Sequence, residues 1–169
     1  NQPWHLPEEV IYEYVEALFF DADGDNDLDL YVVSGGSEHQ EGSKYYLDRL
    51  YINDGDGIFH KNRNALPGID FSGATVAAGD YDNDGDLDLF IGGRLKAKNY
   101  PVSPKSLILK NESSEGHVKF SMVHEKELGM VTDATWVDID KDSILELVIV
   151  GEWMPVSIYK NIEGDFKNV

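Results

Sequence analysis

Three acidic nonapeptides recur along this chain, and they limit what it can fold into more than any other feature. They are Asp21-Ala22-Asp23-Gly24-Asp25-Asn26-Asp27-Leu28-Asp29, Asp80-Tyr81-Asp82-Asn83-Asp84-Gly85-Asp86-Leu87-Asp88 and Asp138-Ile139-Asp140-Lys141-Asp142-Ser143-Ile144-Leu145-Glu146. They begin at 21, 80 and 138, that is, 59 and 58 residues apart. Self-similarity at a fixed period means one structural unit copied and stacked. Each copy places carboxylates at loop positions 1, 3, 5 and 9.

That spacing suits calcium, a hard cation that takes roughly 6–8 oxygens at about 2.3–2.6 Å. Side chains at positions 1, 3 and 5 of a tight turn converge on its inside. A backbone carbonyl at position 7 and a carboxylate at position 9 complete the shell. Position 7 is Asp27, Asp86 and Ile144, so its side chain is dispensable. The candidate ligands are therefore Asp21, Asp23, Asp25, Asp27 and Asp29; Asp80, Asp82, Asp84, Asp86 and Asp88; and Asp138, Asp140, Asp142, Ile144 (by its carbonyl) and Glu146. Position 6 needs a residue tolerant of positive φ, which Gly85 and Asn26 satisfy better than Ser143. The third copy is the least regular, with Lys141 among the ligands and Glu146 in place of the last Asp. Solvated acidic turns are the alternative, but so many like charges in nine residues repel unless a cation neutralises them. Magnesium fits less well, because it prefers a tighter octahedron with several waters.

An EF-hand is excluded, because it needs a bidentate Glu at position 12, where this chain has Val32, Ile91 and Ile149. EF-hand loops also join helices. Here each loop runs into a short stretch rich in branched residues: 28–33, 87–92 and 145–151. These read as strands.

The 169 residues fit one domain or a piece of one. There is no cysteine, hence no disulfide, thiolate site or cysteine nucleophile. No apolar run is long enough for a transmembrane helix. The net charge is −18, and the six positive charges of three calcium ions would still leave it at about −12. Such a surface repels nucleic acid and anionic lipid. The expected partners therefore include neither, and the expected setting is calcium-rich: extracellular, cell-surface or periplasmic.

Each repeat predicts four strands. Strand A precedes the acidic loop (15–20, 74–79, 134–137) and strand B follows it. Strand C ends in an Asn: Asn53, Asn111, Asn161. A Gly-containing turn then leads to a short strand D ending near a Phe: Phe59, Phe120, Phe166. Strand B is apolar on successive residues, as in Leu89-Phe90-Ile91, which predicts cover on both faces. Four antiparallel strands repeated radially make a β-propeller blade. The expected fold is all-β: a partial β-propeller of about three four-stranded antiparallel blades, near 14–63, 74–125 and 134–169, in a single unit 1–169 with 1–13 unassigned. Complete propellers have about 4–8 blades. A three-blade arc therefore predicts a segment of a longer propeller, or self-association through exposed end blades.

Phe71-Ser72-Gly73-Ala74-Thr75-Val76-Ala77-Ala78-Gly79-Asp80, the acidic loop and then Leu89-Phe90-Ile91-Gly92-Gly93-Arg94 resemble an FG-GAP repeat. That repeat builds the propeller of integrin α chains and the related VCBS-type repeats of bacterial secreted proteins. Ser72 replaces the Gly after Phe71, and Gly93-Arg94 replaces Ala-Pro. The run from Gly129 to Pro155 is similar to the propellers of the cartilage-acidic-protein-like group. The resemblance implies a calcium-stabilised propeller used in adhesion or recognition, with metals held by positions 1, 3, 5, 7 and 9. Fold alone does not give function.

Strand alternation puts the acidic loops on one face and the long B–C loops on the other. Those loops carry His39, Tyr45 and Tyr46 in blade one and Arg94 and Tyr100 in blade two, residue types enriched at recognition surfaces. They are the candidate contacts for a protein or glycan partner. No nucleophile or acid/base pair separates from the metal ligands, so the expected protein is not an enzyme. The alternatives are a scaffold for a polysaccharide-active enzyme and a purely structural assembly domain. His5, His39, His60, His117 and His124 show no motif spacing and read as surface or turn histidines. Ser34-Gly35-Gly36-Ser37 lacks the context of a nucleophile elbow. Trp136 and Trp153 are expected in the core, Trp4 is unassigned, and Glu8 and Glu9 read as a solvated pair.

Overall fold

A computed structural model describes residues 2–114 and 116–169, with the side chain of Glu8 also outside the description. Twelve strands form three four-stranded antiparallel sheets in simple meander order. Blade one is β1 (Tyr14–Phe20), β2 (Asp29–Ser34), β3 (Arg49–Asn53) and β4 (Phe59–Asn62). Blade two is β5 (Ser72–Gly79), β6 (Asp88–Leu95), β7 (Ser106–Asn111) and β8 (Phe120–Lys126). Blade three is β9 (Met130–Val137), β10 (Glu146–Glu152), β11 (Ser157–Ile162) and β12 (Asp165–Asn168). The acidic loops are the β1–β2, β5–β6 and β9–β10 turns.

The sheets stack in chain order, β1 and β2 against β5, and β5 and β6 against β9. The period-2 alternation of strand B explains how. In β6, Leu89 and Ile91 join Tyr31, Val33 and Leu50 of blade one in one core. Phe90 points the other way and joins Leu147 and Ile149 of blade three. The middle sheet is thus buried on both faces, as its unbroken apolar run predicts. Burial of side chains of this size stabilises by about 1.5–3 kcal/mol each. Close approach is needed where β9 crosses β5: a Cβ on Gly79 would lie 2.5 Å from the Trp136 ring. Trp136 Nε1 donates to the Ala77 carbonyl at 3.3 Å.

Four expectations need correction. Strand D was placed too early in blades one and two: Phe59 and Phe120 open β4 and β8 rather than closing them, because the Gly turn before each uses more residues. Glu9 is buried, not solvated; its carboxylate meets Arg49 Nε at 3.0 Å, Lys61 Nζ at 2.6 Å and the Tyr14 hydroxyl at 2.7 Å. Trp153 is 86% exposed. It follows the strand in a turn of positive φ, so its ring points away from the core. His124 is half-buried between blades two and three, 2.6 Å from the Tyr81 hydroxyl, where burial lowers its pKa. The unassigned N-terminal segment also has a place. Trp4 packs on Tyr51 and Phe59 over the blade-one face that turns away from blade two.

Candidate metal centre

The three acidic loops fold alike because the backbone donors of each turn are collected by its own carboxylates. Position 1 bridges the turn. Asp21 accepts from Gly24 and Asn26 N–H at 2.7 and 2.9 Å, Asp80 from Asp84 and Gly85 at 3.0 Å each, and Asp138 from Asp142 and Ser143 at 3.1 Å each. Position 5 caps position 7 in every loop, Asp25 to Asp27, Asp84 to Asp86 and Asp142 to Ile144. Position 6 has positive φ throughout: Asn26 72°, Gly85 100°, Ser143 70°. Position 4 does as well, at Gly24, Asn83 and Lys141, a second constraint that the sequence reading missed.

Position 9 opens strand B and is buried in all three blades. Its carboxylate straps the loop to the sheet. Asp29 accepts from Ala22 N–H and Asn53 N–H at 2.8 Å each, and Asp88 from Tyr81 and Asn111 at 2.9 and 2.7 Å. Glu146 accepts from Ile139 at 2.8 Å and meets Lys160 instead of a second backbone donor. Burial pushes Asp29 and Asp88 up to about 6. The recurrent Asn at the end of strand C thus holds position 9 by its N–H in two blades. Its side chain reaches further: Asn111 Nδ2 donates to the Ala22 carbonyl at 3.1 Å, and Asn161 Nδ2 to the Tyr81 carbonyl at 3.2 Å. Each of these blades is pinned to the acidic loop of the blade before it.

Carboxylate oxygens of positions 1, 3 and 9 lie within 4.8 Å of one another in every loop: Asp21, Asp23 and Asp29; Asp80, Asp82 and Asp88; Asp138, Asp140 and Glu146. Positions 5 and 7, namely Asp25, Asp27, Asp84, Asp86, Asp142 and Ile144, fall outside those groups. The donor set fits a hard divalent cation. Asp23 Oδ1, Asp27 Oδ1 and Asp82 Oδ1 are buried without a hydrogen-bond partner, an arrangement that costs free energy unless a cation or water satisfies them. Burial raises the pKa of Asp23 and Asp27, with neighbouring carboxylates adding to the shift.

The opposite face gathers the B–C loops and the starts of the inner strands. His39 and Tyr45 stack there with ring centroids 4.2 Å apart. Tyr46 is fully buried, and its hydroxyl donates to the His39 carbonyl at 2.9 Å. It supports the loop and has no surface to offer a partner, which corrects its place among the candidate contacts. Arg94 is bound to Glu152 of blade three at 2.8 Å. The Tyr100 hydroxyl accepts from Trp153 Nε1 at 3.1 Å. The candidates therefore form two separate groups.

Two clefts on this face were not foreseen. One, of about 340 Å³, lies where the three blades converge and is lined by Glu13, Glu38, Gly73, Arg94 and Thr132. Its carboxyls interact: Glu13 donates a hydrogen bond to the Glu38 carboxylate, which raises the pKa of Glu13 and helps lower that of Glu38. A Cβ on Gly36 would collide with both. The other, of about 500 Å³, lies at the outer edge of blade one between Tyr12, Lys44, Arg49, Lys61 and Arg63. These residues are far apart in sequence, so no motif announces either cleft.

No curated protein sequence matches this chain. The FG-GAP-like repeat matches residues 21–91, from the first acidic loop into strand B of blade two. With three antiparallel four-stranded sheets stacked in order, this chain is a propeller-like array whose residues 21–91 match an FG-GAP-like repeat.

Proposed function

We propose that the chain is a calcium-stabilised recognition module, extracellular or otherwise outside the cytoplasm, without catalytic activity of its own. One observation carries this reading: carboxylates of positions 1, 3 and 9 converge in all three loops, with buried oxygens left unpartnered in the first two. A bound cation supplies neutralisation of those carboxylates. Asp21, Asp23 and Asp29, with their counterparts, would hold it, and the hydrogen bonds of positions 1 and 5 set the loop shape beforehand. The opposite face is then the place for a protein or glycan. It offers the stacked His39–Tyr45 pair and a cleft lined by Lys44 and Arg63 together with Asp48 and the Glu9-paired Arg49 and Lys61.

The test is thermal melting of the 169-residue chain with calcium and then with chelator. Metal that binds only the folded state adds about 2.7 kcal/mol per site at a hundredfold excess over its dissociation constant. A calcium-specific rise supports the reading, and identical melting curves overturn it. A second reading, a scaffold contributing to polysaccharide chemistry, would draw on the Glu13–Glu38 pair beside Arg94, a hydrogen-bonded pair that would have to part to the roughly 5 Å or more at which glycoside hydrolysis sets its two carboxyls. Glycan cleavage abolished by Glu13→Gln would support that reading, and unchanged glycans would remove it.

A further inference from the structure

The geometry points to a division of labour among the three loops, set by the residue just before the strand-C asparagine. This residue is Ile52 in blade one, Lys110 in blade two and Lys160 in blade three. The inference rests on the calcium reading above and adds to it which loops take the ion and why. Lys110 and Lys160 are tethered cations that neutralise their own loops, and loop one is the site left for a free divalent ion.

The observations come from comparing the three copies. Lys110 Nζ contacts the position-3 carboxylate of Asp82 and lies 3.0 Å from position 5, Asp84. Lys160 Nζ lies 3.0 Å from Asp140 and 2.7 Å from Asp142, and also contacts Glu146. Positions 3, 5 and 9 of loop three thus share one ammonium, whose side chain is only 11% exposed. In loop one the same strand position holds Ile52, which packs into the core between blades one and two and carries no charge. Among the described residues no cationic side chain forms an ion pair with a loop-one carboxylate. Two of the three unpartnered buried aspartate oxygens belong to that loop, Asp23 Oδ1 and Asp27 Oδ1.

An ammonium and a divalent cation compete for the same oxygens. A lysine must be displaced, and left partly desolvated beside the incoming ion, before position 3, and in loop three position 9 as well, can bind metal. Two like charges a few ångströms apart in a partly buried site repel by several kcal/mol at most. Loops two and three therefore keep their shape without metal and bind it weakly. Loop one depends on metal and binds it first.

The experiment is calcium titration of the full chain by calorimetry, with circular dichroism to confirm folding. The variants are Lys110→Met, Lys160→Met and the reciprocal Ile52→Lys. The wild type should show one strong site. Each Lys→Met variant should gain a second site about tenfold or more tighter than the wild type's weaker ones, and Ile52→Lys should weaken the strong site by a similar factor. Three equivalent sites in the wild type, with affinities unmoved in all the variants, would overturn the inference while leaving the calcium reading intact. No calcium uptake by any folded form would overturn both. If a Lys→Met chain does not fold, Ile52→Lys decides alone, by loss or retention of the strong site.

Discussion

Loop one and loop three share a backbone path but solve the same electrostatic problem differently. Loop one packs five aspartates into nine residues, and among the described residues none of them pairs with a cationic side chain. Loop three has four acidic residues in the same frame and the nearly buried Lys160 among them. The contrast shows that conserving a turn and conserving its use are separate matters. Hydrogen bonds donated by backbone N–H groups to positions 1, 5 and 9 keep the turn, while one residue on a neighbouring strand decides what neutralises it.

The strongest way to break the comparison is at position 9. Asp29→Ala strips two backbone donors, Ala22 and Asn53, of their buried acceptor and should cost about 3–4 kcal/mol in chelator, read by urea denaturation. Glu146→Ala strips one backbone donor and leaves Lys160 with Asp140 and Asp142, so about 1–2 kcal/mol is expected. Equal losses would mean that the straps are equivalent after all. Next in size is the metal itself. Calcium at a hundredfold excess should slow amide exchange at Gly24 and Asn26 by an amount corresponding to about 2.7 kcal/mol, with much smaller changes at Asp142 and Ser143. Uniform protection across the loops would erase the distinction.

The links between blades give a smaller effect. Asn111→Ala removes donors to Ala22 and Leu87 and should cost about 1–2 kcal/mol, weakening calcium binding at loop one as well. Asn161→Ala, at the blade-three link, should leave loop one alone. The smallest effect is on pH dependence. Asp29 and Asp88 sit at about 6 in the fold against a reference of 3.8, and buried Asp48 at about 7. The folded state therefore takes up protons first, and without metal these groups add stability as pH falls from about 7 towards 4. Asp29 and Asp88 should each contribute about 1 kcal/mol of that gain between pH 7.5 and 5.5 in chelator, reversed in calcium because the ion needs ionised carboxylates. A chelated protein that weakens over that range would contradict the burial of these groups.

Much of this was legible from the chain because the repeat writes the same turn three times. Period, ligand spacing and the apolar run Leu89-Phe90-Ile91 each have a direct physical meaning, and the sheets follow from them. The strand-C Asn was visible as a recurrence, but its two jobs were not, since a bond to the preceding blade's loop spans 89 residues for Asn111 and 80 for Asn161. Lys110 and Lys160 were hidden for the same reason: beside Ile52 they look like ordinary variation at a strand position. Glu9 was misread because its partners, Arg49 and Lys61, lie 40 residues and more away. Tyr46 was misread because a tyrosine in a long loop gives no sign of which way it faces.

The asparagine links have a consequence for how the array grows and fails. Each fastening is driven from a later unit into an earlier one, as a roof tile is nailed through the tile laid before it. Neighbour-coupled arrays of this kind gain or lose order through their shared boundaries. Here the boundary has a direction. A disturbance at Asp21 or Asp29 displaces the carbonyl of Ala22, and with it the hold that Asn111 Nδ2 keeps on blade one. Among the described residues, a disturbance of loop three touches neither asparagine link, since these end on Ala22 and Tyr81. Damage to such a row should therefore spread forward along the chain more readily than back.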